Sequence, residues 1–327
     1  MRKHLAIIGA IITFLVSAIK LMFLTREAYL LSIGFLVLFS IIDFLFIIAA
    51  VIVFIRIIKK EEFSELDEEE IFSFIAILTG ALVVYFFGTE INIDKNITVG
   101  LVAIITGLLV KKYTAEAVLG AIIGAGLCQY TGYFGIIFIS VFAGIFNTLL
   151  KEVFVGIGGK SGTIAFVGGI IVLMFFGEVL GNGLPKDNMQ LLFILLVSFI
   201  AALLTFILNN DFNLGPTIAY GIVILLGSVY LLIPATKSLE FSSIIYGSAL
   251  LGMSNKNQKD DYFIMIIASI IFSFCIFVGT SFINIGGRAG LLALISVLTV
   301  KEPYYLIKKT IYKTVQRTGS NSLNMLK

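Results

Sequence analysis

From Leu5 to Val300 the chain alternates long, almost uncharged apolar runs with short polar or glycine-containing turns. Nothing constrains the fold more. A run of about 20 apolar residues spans the ~30 Å hydrocarbon core of a bilayer, and several runs here approach or exceed that length. Only 13% of the 327 residues are charged and 59% are apolar, with a mean hydropathy of +1.08. Soluble domains carry about 25% charged residues, so a water-facing surface is out of reach. The sequence predicts an all-α polytopic membrane protein.

The first run follows Met1-Arg-Lys-His4 and extends past Lys20 to Leu24; without a clean small-residue cleavage site it reads as a retained helix. The second, Ala28 to Ile58, is longer than one crossing needs and is expected to tilt or protrude. Residues 1–60 thus form a two-helix membrane hairpin. An acidic linker follows at 61–70, within a stretch from Lys59 to Glu70 that holds seven of the 20 acidic residues; it reads as a solvated extension. Ten further segments are expected at about 71–88, 96–110, 114–128, 134–155, 162–180, 189–208, 214–232, 240–252, 262–283 and 289–300. Segments 114–128 and 240–252 are short for a full crossing, a form tolerated only under protein or water cover. A basic tail, 301–327, is expected to lie along an anionic leaflet.

With about 12 crossings and both termini cytoplasmic, Lys20, Arg26, Lys95, Lys186, Lys237 and Arg288 fall outside, and the other 17 of the 23 Lys and Arg residues fall inside. That is the positive-inside bias, and it points to the plasma membrane. The Asn209-Asn-Asp211 loop, placed inside without a cation, fits least well.

Two turns register an internal repeat. Gly158-Gly-Lys160 recurs as Gly286-Gly-Arg288, Tyr133-Phe134 as Tyr262-Phe263, and Ala121–Leu127 resembles Ile244–Leu250. Each unit, 71–180 and 189–300, holds five segments. An odd count makes the second unit enter from the opposite face, giving a 5+5 inverted-repeat core, a recurring plan of secondary transporters. The expected function is therefore a secondary transporter or channel-like permease for a small solute or ion. The alternative is a non-transporting scaffold or assembly partner.

Gly156-Ile-Gly-Gly-Lys-Ser161 is not a nucleotide loop: Phe154 stands where the P-loop needs its first glycine. Glycine N–H groups at a helix start beside a cation suit an anion instead, or the cation anchors at headgroups. Substrate contact is assigned to Gly158, Gly159, Lys160, Ser161, Gly286, Gly287 and Arg288, with Asn147 and Gln129 as polar groups inside apolar segments. Asp43, inside the second run, is the candidate for ion or proton coupling. One histidine and two cysteines in apolar runs leave no metal cluster to expect. With no nucleophile–base pair either, no enzyme activity and no cofactor are expected. The expected partners are the lipid bilayer, the transported solute or ion and further copies of the chain, not nucleic acid.

Overall fold

The computed structural model describes residues 2–60, 63, 69–126, 128–176, 188–229, 241–279, 281 and 285–324. Most of the acidic linker lies outside the described residues, as do the turn after segment 162–180 and the end of segment 214–232. Among the described residues there are twelve α-helices and no β-strand. They are α1 (Arg2–Leu31), α2 (Ile33–Lys59), α3 (Glu69–Thr89), α4 (Lys95–Leu109), α5 (Thr114–Ala125), α6 (Cys128–Leu150), α7 (Lys160–Phe176), α8 (Asn188–Asn210), α9 (Pro216–Gly227), α10 (Phe241–Gly252), α11 (Asp261–Val278) and α12 (Arg288–Asn324). Seven of them (α1, α2, α3, α6, α8, α11 and α12) are long and apolar enough to cross a membrane, and five are shorter apolar helices.

Local chemistry sets several helix boundaries. The Ser32 hydroxyl accepts from the Phe35 N–H at 3.3 Å and separates α1 from α2. The Asp94 carboxylate accepts from the Asn96 N–H at 2.8 Å and starts α4. Pro216 opens α9, where its missing N–H costs nothing. Within α6, Gly132 takes φ +58° and ψ −163°, which breaks the helix three residues after Gln129. α12 runs past its expected end at residue 300, through Pro303 to Asn324, so the tail begins as a continuation of that helix. Tyr304 and Tyr305, just past the proline, hydrogen-bond Asp260 (2.9 Å) and Asp261 (2.5 Å), and so hold the extension against the start of α11.

The neighbour relations repeat. α3 packs on α4, α5 and α6, and α8 packs on α9, α10 and α11. α5 touches α4, α6 and α7; α10 touches α9, α11 and α12. α6 packs on α7 as α11 packs on α12. Between the groups, α4 meets α9 and α7 meets α12. The α1–α2 hairpin lies outside, α1 against α6 and α2 against α12.

Ion pairs mark one end of the bundle. Arg2 at the start of α1 and Lys151 just after α6 pair with Glu70 at the start of α3, at 2.6 and 2.9 Å. Arg56 near the end of α2 pairs with Glu302 at 2.7 Å. Asp211, after α8, pairs at the same end with Lys256 at 2.7 Å. The Asn209-Asn-Asp211 loop thus draws its cation from the connection between α10 and α11. That hydrogen bond, then the one from Tyr262, holds the Asp211 carboxyl below the usual carboxylate range. Asn210 completes the junction, donating to the Ser254 carbonyl at 3.0 Å and accepting from the Lys256 N–H at 2.9 Å. Asn210→Ala leaves both groups without this partner, a loss of about 1–3 kcal/mol. Trypsin is expected to cut the variant at Lys256 or Lys259 several-fold faster than the parent in detergent, and equal rates would show that the asparagine does not hold the connection.

Two tyrosine clusters sit at opposite ends. The Tyr133 hydroxyl donates to Glu90 at 3.1 Å while its ring stands edge-on to Tyr85. The Tyr262 hydroxyl donates to Asp211 while its ring stands edge-on to Phe206. Glu90 follows α3 and Asp211 follows α8; α3 begins at the end of the bundle where α8 finishes.

Candidate functional site

The chain leaves α6 at Leu150 and turns back through residues 151–159. Gly156 and Gly159 take φ +71° and +89° there, a region an L side chain enters only with strain. The Gly158 N–H donates to Ser254 Oγ at 2.9 Å and the Gly156 carbonyl accepts from the Asn255 N–H at 3.0 Å. α7 then starts at Lys160. In the second turn Gly287 takes φ +87° and α12 starts at Arg288.

The two turns meet. A Cβ on Gly159 would strike the backbone of Gly290 and Leu294; one on Gly287 would strike the backbone of Gly162 and Phe166. Gly162 and Gly290 face each other so closely that a Cβ on Gly162 would stand 2.5 Å from Gly290 Cα. The residue order on one helix runs against that on the other, so α7 and α12 are antiparallel and overlap through their first turns. Their positive N-terminal ends approach the crossing from opposite directions. Gly158 packs on the carbonyls of Leu250 and Leu251 in α10, and Gly286 packs on Gly126 after α5.

Both cations of these turns fold back on backbone carbonyls. Lys160 Nζ donates to the Leu150 carbonyl at 2.6 Å and the Lys151 carbonyl at 3.2 Å, the last acceptors of α6. Arg288, 3% exposed, donates to the Gly279 carbonyl that ends α11. Each cation covers the partial negative charge of the helix preceding its turn. Glu116, in the first turn of α5, lies within electrostatic reach of Lys160 and close to Asn147, one turn before the end of α6. The structure therefore brings Lys160 and Asn147 together and adds Glu116, which reads in sequence as an ordinary residue at a segment end.

Comparison of the chain with protein-family models, with curated proteins and with solved structures gives no match. Any function has to be argued from the geometry.

The second junction also gains a residue. Lys20, 1% exposed inside α1, donates to Ser281 through both Oγ (2.7 Å) and the carbonyl (3.1 Å), beside the Arg288–Gly279 contact. An ionisable residue in the middle of an apolar run was a visible signal, although charge counting places Lys20 outside. Asp43 lies apart from the helix crossing, on α2, where its carboxylate accepts from Thr25 Oγ1 at 2.8 Å. Cys275 on α11 lies within electrostatic reach of both Lys20 and Asp43. Ser161 stands in the first turn of α7. Gln129 lies on the short piece of α6 before Gly132, and its side chain is outside the described residues. Among the described residues no three His, Cys, Asp or Glu side chains gather as a metal site.

Proposed function

We propose that the chain is a permease for a small solute or ion, built from two inverted five-helix units, α3–α7 and α8–α12, with the α1–α2 hairpin added outside. The reciprocal packing at the α7–α12 crossing carries this reading. The pair Gly159 on Gly290 and Leu294, and the pair Gly287 on Gly162 and Phe166, exchange under one shift of 128 residues. Antiparallel self-pairs at α7–α12 and α4–α9 are what a two-fold axis in the membrane plane produces. Lys160 on the end of α6 and Arg288 on the end of α11 obey the same shift. The tyrosine clusters supply a third equivalence. Broken and shortened helices meeting inside a bundle are the usual place for transporter sites.

In this reading both termini are cytoplasmic in the plasma membrane, and the Glu90 and Asp211 clusters face opposite compartments. Single cysteines at Asn92 and Asn257 are expected to react with a membrane-impermeant maleimide from opposite sides of sealed vesicles. Labelling of both from one side would end the inverted arrangement. Transport itself is tested by reconstituting the protein in liposomes and screening ions and small metabolites for flux. A chain that moves none of them and co-purifies with a fixed membrane partner would be the scaffold instead.

A further inference from the structure

An ammonium group and a desolvated alkali ion ask for the same surroundings, several oxygens converging on one positive charge. Lys160 Nζ has them. Two backbone carbonyls at the negative end of α6 stand 2.6 and 3.2 Å away, and the Glu116 carboxyl lies within electrostatic reach of the same ammonium, close to Asn147. The side chain of Lys151, whose carbonyl is one of the two, turns away to Glu70 at 2.9 Å. Helix C-terminal carbonyls together with carboxylate and amide oxygens are the donors by which membrane carriers hold a monovalent cation, and hard cations take oxygen ligands in general. The geometry points to a monovalent-cation site at the end of α6 that the protein fills with its own tethered cation, Lys160. Sodium or potassium is the ligand class the oxygens fit once the ammonium is removed.

The equivalent place on α11 argues for the same origin with a different outcome. There the occupant is the guanidinium of Arg288 on Gly279, and Lys20 lies close by, on Ser281. A broad planar cation next to a second cation leaves no place for an alkali ion. The proposal is therefore confined to the first unit, and it holds whether or not the chain is a permease.

The test is binding, read without transport. Lys160→Ala, purified in detergent, is expected to melt higher by about 3 °C or more when N-methylglucamine chloride is replaced by sodium or potassium chloride at constant ionic strength, rising with the logarithm of concentration. The parent protein should show no such response. Lys160→Met, which refills the space with an apolar chain, should show none either, and adding Glu116→Gln to Lys160→Ala should abolish the gain. A monodisperse Lys160→Ala with one melting temperature in all three salts overturns the proposal. Should the alanine variant fail to fold, Lys160→Ser is read in the same way. Failure of both in every salt also overturns it, because an ion that fits the cradle should replace the ammonium.

Discussion

Gly287→Ala is expected to yield no monodisperse protein, and Gly159→Ala to fail to the same degree. Two costs coincide at each position. A φ near +90° strains any L residue by about 1–2 kcal/mol. The added methyl would also enter backbone rather than a side chain that can rotate away: the Gly162 carbonyl and the Phe166 nitrogen for Gly287, the Gly290 carbonyl and the Leu294 nitrogen for Gly159. To make room, α7 and α12 would have to part along their overlap. Gly215→Ala separates the two costs. Gly215 has φ +84°, but nothing lies within 4 Å of its Cβ position, so only the strain applies. That variant should elute normally on size-exclusion and melt a few degrees low. If Gly287→Ala behaves like Gly215→Ala, the close crossing is wrong. If only one of Gly159 and Gly287 tolerates alanine, the two turns are not equivalents.

Most of the helical plan was legible in the sequence because a bilayer leaves the backbone little choice: where water is absent, N–H and C=O groups must pair within the segment. Apolar runs therefore translate into helices, and each of the twelve expected segments overlaps mainly one described helix, although the second run, Ala28 to Ile58, begins inside α1. Ends were harder. The basic stretch 301–327 reads as a tail after a segment ending at residue 300, yet Tyr304 and Tyr305 find Asp260 and Asp261 across the bundle and the helix continues. Partners far apart in the chain were the least legible. Tyr133 and Tyr262 could be aligned as repeats, but nothing local says that one ends on the carboxylate after α3 and the other on the carboxylate after α8. The Gly-Gly-(Lys/Arg) turns were recognisable as a repeated feature, and their contact with each other was not. Lys160 carries no local mark that it will fold back on α6. A cation beside a glycine turn has headgroups, a ligand and a helix end as possible partners, and only the packed structure selects among them.

The largest expected electrostatic loss lies where α1 meets the start of α3 and the end of α6. Glu70 accepts from Arg2 Nη2 at 2.6 Å, Lys151 Nζ at 2.9 Å and Thr148 Oγ1 at 3.0 Å, joining α1, α3 and the end of α6. The Arg2 side chain is 9% exposed and that of Glu70 15%, so water screens the pair poorly. Glu70→Ala leaves a buried guanidinium facing an ammonium without the carboxylate they share, which costs about 3–5 kcal/mol. For a protein of this size that corresponds to a fall in melting temperature on the order of 10 °C. Arg2→Ala should cost less, because Lys151 still neutralises Glu70 once the arginine is gone. Glu70→Gln should fall between, keeping the shape and one acceptor but losing the charge. The order, alanine at 70 worst, then glutamine at 70, then alanine at 2, separates a shared carboxylate from three independent contacts, which would make Arg2→Ala and Glu70→Ala similar. A melting temperature for Glu70→Ala within 2 °C of the parent would mean that apolar packing alone docks the hairpin, through Gly9 of α1 against Leu149 and Leu150 and Phe14 against Phe154.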